Sequence, residues 1–108
     1  MKLSLVVVIL NSGYVDEIMN VVKPIGVRGG TVISGNGSVS DDASKLYGIT
    51  IHPEKDCMLI IINTKFKNEV IKAIYLYSKQ KSLDAIAFTM PITNATSNLI
   101  NQYKKIEE

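Results

Sequence analysis

Leu3-Ser4-Leu5-Val6-Val7-Val8-Ile9-Leu10 is apolar at all but one position, too greasy for a strand with one wet face. In extended backbone Leu3, Leu5, Val7 and Ile9 point one way, and Val6, Val8 and Leu10 the other. A second run, Cys57 to Ile62, repeats the pattern, with Met58, Ile60 and Ile62 opposing Cys57, Leu59 and Ile61. Both strands therefore need cover on two sides.

Beyond the first strand, Asn11-Ser12-Gly13 interrupts the apolar run, and the sequence predicts Ser12 as the N-cap of a helix with Asp16 and Glu17 in its first turn. Val15, Ile18, Met19 and Val22 recur at helical spacing until Pro24 and Gly26 end the helix. A second strand is expected from Gly30 to Ser34, followed by an exposed loop from Gly35 to Lys45, rich in Gly, Ser and Asp. Strand character resumes from Tyr47 to His52, with an edge or bulge expected at Pro53, which has no N–H to donate. Thr64 is expected to cap a second helix carrying Phe66, Val70, Ile74 and Tyr77 on one face. Asp84 to Met90 reads as a fourth strand stopped by Pro91, and the tail, 93–108, as a short helix with Leu99, Tyr103 and Ile106 as its apolar stripe. The order is βαββαβ, an α+β domain with an antiparallel four-stranded sheet and two helices on one face. Two helices cover one face only, so the other is expected to pack against copies of the same chain, leaving clefts between subunits as ligand sites.

Composition fits one globular domain over residues 1–108: 46% of the residues are hydrophobic, and 12 basic against 10 acidic side chains leave a net charge of +2. The charges form no long run, which argues against a nucleic-acid or membrane surface. A lone Cys57 excludes an internal disulfide, and Leu3 to Leu10 is too short for a signal peptide, so a cytoplasmic protein is expected. The most informative loop is Gly26-Val27-Arg28-Gly29-Gly30-Thr31-Val32-Ile33, followed by Ser34-Gly35-Asn36-Gly37-Ser38. Its glycines either make two tight turns or bring bare backbone close to an anion or a purine edge. Arg28 is the only arginine. Its planar fork suits a phosphate or carboxylate, and equally an acidic side chain across a subunit boundary.

Together these segments resemble the PII nitrogen regulatory proteins, in particular their short-loop PII-like members. The resemblance is carried by the opening strand with Asn11 to Glu17, by Gly26 to Val32, by Tyr47-Gly48-Ile49-Thr50-Ile51-His52-Pro53-Glu54-Lys55, and by Ala85-Ile86-Ala87-Phe88-Thr89-Met90-Pro91-Ile92. It implies a ferredoxin-like domain assembled as a homotrimer. It also implies an adenine nucleotide as effector between subunits, and a target enzyme, transporter or regulator reached through a mobile loop, here 35–46. Carried over by position, Gly29, Gly30 and Thr31 match the strand that meets the adenine, and Gly35 and Gly37 the base of the loop. With Arg28 these are the expected ligand-binding residues; no catalytic or metal-binding residue is expected. Tyr47 matches the family's modified tyrosine by spacing but abuts a strand, where a tyrosine usually packs.

The phosphate side departs from the family. Ser78-Lys79-Gln80-Lys81-Ser82-Leu83-Asp84 lacks the glycine-bearing loop before the fourth strand, and no arginine follows it. A polyphosphate would depend on Lys79, Lys81 and backbone amides, although both lysines also fit as solvated helix-end residues. Two other classes compete with the regulatory reading. One is a small oligomeric enzyme using His52, the only histidine, near Glu54 and Asp56 in an expected turn or bulge. The other is a metal-responsive trimer using Cys57, Met58 and His52, disfavoured because adjacent strand residues face opposite ways.

Overall fold

The computed structural model describes residues 2–37, 45–46, 49–50 and 53–107. Its elements are β1 (Leu3–Asn11), α1 (Val15–Val22), β2 (Thr31–Asn36), the short pair β3 (Lys45–Leu46) and β4 (Ile49–Thr50), β5 (Glu54–Asn63), α2 (Lys67–Gln80), β6 (Ala85–Ile92) and α3 (Ser97–Glu107). The main sheet has the order β2-β5-β1-β6 with every neighbour antiparallel. With β3 and β4 set aside as a separate ribbon, the expected βαββαβ unit is present, and the fold is α+β and ferredoxin-like.

β1 lies between two partners, opposite β5 from Leu3↔Asn63 to Asn11↔Lys55 and opposite β6 from Leu3↔Ile92 to Leu10↔Ala85. Val6, Val8 and Leu10 turn toward α1 and α2, where they join Met58, Ile60 and Ile62 of β5 and Ile18, Val22, Val70 and Ile74 of the helices in one buried cluster. Each of these side chains contributes about 1.5–3 kcal/mol by leaving water. The helices also meet through Tyr77, whose phenol is pushed above its usual range by burial and then by the Glu17 carboxylate it hydrogen-bonds.

Paired positions share a face, so the other side of the sheet is built from Ile33, Cys57, Ile9 and Ile86 in one row, then Thr31, Leu59, Val7 and Phe88, then Ile61, Leu5 and Met90. No described helix covers this side as α1 and α2 cover the first. Ile33, Ile86, Phe88 and Met90 are 53%, 59%, 44% and 50% exposed. The face for which the sequence demands a partner is thus open along its edge strands in the single chain, while Leu3 and Val7 of β1 are already buried.

Long-range contacts override several local signals. Ser12 is not the α1 cap: its N–H donates to the carbonyl of Glu54, extending the β1–β5 ladder, and the helix starts after Tyr14 without a side-chain cap. Gly26 ends the following 3-10 turn at φ +121°, where a side chain would be strained. Thr64 is likewise not the second cap. Asn63 accepts from the Lys65 N–H, and the Thr64 hydroxyl instead meets Ser4 Oγ at 2.8 Å. β2 runs to Asn36, so Gly35 belongs to a strand rather than to the start of the loop. Of the stretch from Tyr47 to His52, Ile49–Thr50 pairs with Lys45–Leu46 outside the main sheet, while Tyr47 and His52 lie outside the described residues. Glu54 and Asp56 are in regular strand, because the ladder begins only after Pro53. β6 passes through Pro91 to Ile92, which an edge strand tolerates.

Where β2 begins, Gly30 approaches β5 so closely that a Cβ would sit 2.9 Å from the Leu59 carbonyl oxygen and 3.2 Å from Ile60 Cγ1; one added at Gly29 would meet nothing within 4 Å. Gly30→Ala is therefore expected to lower stability by about 1–3 kcal/mol, and Gly29→Ala to change it by less than about 0.5 kcal/mol, in urea melts at fixed protein concentration. In the same assay Ile60→Ala, emptying a fully buried site, should cost about 2–5 kcal/mol.

Candidate functional site

The expected ligand residues all lie on β2 or its approaches, but at two ends of it. Arg28, Gly29, Gly30 and Thr31 precede or open the strand, whereas Gly35 and Gly37 are at its far end, about 13 Å from Thr31 at the usual strand rise. β2 is an edge strand with all six residues exposed, so both ends are open to a ligand or to another chain.

At the first end a cleft of about 350 Å³ opens between α1 and β2. Val32 and Met58 floor it, Asp16, Met19 and Lys23 line the α1 side, and Arg28, Gly29 and Gly30 form the rim. Arg28 is exposed there, and no described side chain is recorded in an ion pair with it. The positive charge thus stands beside bare backbone, an arrangement able to hold an anionic group next to an apolar or planar one. The close approach of Gly30 to β5 explains one glycine from the chain's own packing. Nothing in the described chain explains Gly29.

At the second end a shallower cleft of about 310 Å³ is bounded by Ser12, Ser34, Gly35, Asn36, Glu54 and Lys55. Lys55 Nζ donates to Asn11 Oδ1 at 2.6 Å and lies 3.7 Å from Asp84 Oδ2, an exposed ion pair of small energetic worth. Beneath it, buried Asp56 accepts from the Gly13 N–H at 3.2 Å and from Ser34 Oγ at 3.3 Å, tying the β1–α1 turn and β2 to β5. Gly37 donates its N–H to the Pro53 carbonyl at 2.7 Å, which closes the base of the loop. Sequence reading missed this cluster. A signal was available: Asp56 has the parity of Met58, Ile60 and Ile62, so a charge was placed on the inward face of an apolar strand.

The two lysines considered for phosphates line neither cleft. Lys79 Nζ sits 5.9 Å from the centre of the Tyr75 ring, and Lys81 caps the end of α2, which fits the helix-end role. Ser82 takes φ +53°, the left-handed region, in the turn between α2 and β6. Cys57 and Met58 do face opposite sides, the buried methionine toward the helices and the half-buried cysteine toward the open face. Among the described residues no three His, Cys, Asp or Glu side chains gather as a metal site would require.

A further cavity, of about 490 Å³, was not anticipated. It lies between the turn after α1, the start of α2 and Tyr103 of α3, with Ile25, Val27, Ile62, Phe66 and Val70 as its apolar walls and Lys65 beside them. The Tyr103 hydroxyl donates to the Ile61 carbonyl on β5. Burial raises the Tyr103 phenol above its usual range, and the positive charge of Arg28 partly opposes the rise. Arg28 and α3 thus act on the same neighbourhood.

No protein-family model matches this chain, and no curated protein matches it. Solved structures do. A PII-like signalling protein from Thermus thermophilus is 15% identical and superposes with a TM-score of 0.64 over 85% of this chain and 88% of its own. Arabidopsis thaliana PII bound to citrate is 22% identical, with a TM-score of 0.63 over 84% and 78%. A nitrogen regulatory PII-like protein from Thiomonas intermedia, bound to ADP, AMP and bicarbonate, is 11% identical, with a TM-score of 0.60 over 89% and 98%. At such identities the likeness is one of architecture, and the chain has the ferredoxin-like fold of the PII-like signalling proteins.

Proposed function

We propose that this chain is a PII-like signalling protein, a cytoplasmic homotrimer that binds an adenine nucleotide between subunits and acts on a target protein by contact rather than by chemistry. The observation that carries this reading is the open apolar face of the sheet. Ile33, Ile86, Phe88 and Met90 stand in water in the single chain, and a soluble protein hides such a contiguous patch against something. A cyclic assembly of identical sheets hides it and places each exposed β2, with Arg28 and Gly29, at a boundary between subunits.

The chemistry of the β2 approach supports a nucleotide with few phosphates. Arg28 supplies one guanidinium fork, and the described clefts at β2 otherwise offer Lys23 or Lys55 as point charges. A ligand held there biases the segment 35–46 that follows β2, and through it a partner enzyme, transporter or regulator. A role in nitrogen metabolism belongs to this reading through the resemblance alone. Among the described residues no helix is long and apolar enough to cross a membrane.

Light scattering at micromolar concentration should give three times the chain mass for the wild type and a smaller species for Phe88→Asp; a wild-type monomer would overturn the assembly. Calorimetry with ATP, ADP, AMP and cyclic nucleotides should detect binding, weakened about 10- to 100-fold in Arg28→Ala by loss of a charged hydrogen-bonding group. Heat from none of them would remove the nucleotide and leave the fold intact.

A further inference from the structure

β2 accompanies β5 only as far as Thr31, opposite Leu59, while β5 runs on to Asn63. Among the described residues no strand pairs with that side of Ile60–Asn63. Alternate residues of an antiparallel strand turn their N–H and C=O to the same side. Ile61 therefore has the parity of Leu59, whose carbonyl faces Gly30, and presents its own carbonyl on the open edge. Tyr103 of α3 takes that carbonyl.

The helix is otherwise lightly held. Leu99, Ile100 and Tyr103 are half-buried, the other side chains described in α3 up to Lys104 are exposed, and the Tyr103 hydroxyl ties α3 to the sheet. The same tyrosine closes the 490 Å³ cavity, whose size falls in the range of small-molecule sites. Its walls are part apolar and part polar, with Asn63 and Lys65 among them, the backbone of Gly30 approaches the same strand, β5, at Leu59, and the charge of Arg28 acts on the Tyr103 phenol. What fits is a flat apolar body with one N–H donor to replace the phenol, carrying an anionic group toward the arginine. An adenine nucleotide has these parts.

We propose that α3 is a displaceable strap, in which the Tyr103 hydroxyl competes with the amino group of an adenine nucleotide for the Ile61 carbonyl, so that the base enters only as the helix lifts. This rests on the nucleotide reading above and adds its regulation: the ligand exchanges one hydrogen bond for another and frees α3. Release of the helix then reports occupancy to a partner.

Calorimetry with AMP and IMP on the full chain, wild type and Tyr103→Phe, tests it. Phenylalanine keeps the ring and removes the competing donor, so AMP should bind about three- to tenfold tighter to the variant, the worth of one net hydrogen bond. IMP, which has an acceptor where AMP has the amino donor, should bind at least about tenfold more weakly than AMP. Hydrogen exchange provides a second readout: AMP should speed exchange across α3 in the wild type. Equal or weaker AMP binding by Tyr103→Phe, or slower exchange in α3 with AMP, would overturn the strap while leaving the nucleotide reading in place. No AMP binding by either protein would overturn both.

Discussion

A central strand that is apolar on both faces has to be covered twice, and of the two faces of β1 only one meets α1 and α2. α1 and α2 bury the row Val6, Val8 and Leu10, which gives the single chain its core. The opposite row continues across the sheet into Ile33, Ile86, Phe88 and Met90, which remain in water. Hydrophobic burial is not directional, but it is proportional to area. Area therefore remains to be buried on that side, and this is the imbalance on which the proposed assembly rests.

The sheet order carries the same logic into the site. With β1 and β5 in the middle, β2 is left at an edge and is shorter than its partner, so part of β5 lies bare beyond Thr31. Gly30 marks the transition, because its missing side chain lets the two backbones close together just before they part. Arg28 then stands on the rim of the cleft beside that transition, its positive charge next to the bare backbone of Gly29 and Gly30. At the other end of β2 the polar groups are already satisfied by one another: Asp56 holds Gly13 and Ser34, and Lys55 holds Asn11 and Asp84. The ends differ in kind, one completed internally and the other open.

Sequence reading succeeded wherever burial repeats over several residues. The alternation in Leu3 to Leu10 and in Cys57 to Ile62, and the helical spacing of Ile18 with Val22 and of Val70 with Ile74, identify faces by many side chains at once. The expectations that failed rested on single residues. Ser12 and Thr64 are both suitable caps by type, yet Ser12 is drawn into the ladder by Glu54 and the Thr64 hydroxyl by Ser4, partners more than forty positions away in each case. Local propensity is worth about 1 kcal/mol at a cap, and a long-range hydrogen bond of similar strength redirects it.

The class of the domain, the order of its elements and the existence of a second greasy face were all legible in the amino acids, because they follow from periodicity, which a chain carries along its own length. The glycine-flanked arginine likewise marked Arg28, Gly29 and Gly30 as residues to inspect. Folding in three dimensions was needed to explain why Gly30 is glycine, to show that Asp56 is consumed in holding turns together, and to bring Tyr103 onto the Ile61 carbonyl. Those outcomes depend on which strands become neighbours and how far each extends, and strand pairing is set by the packing of the whole sheet rather than by any segment within it.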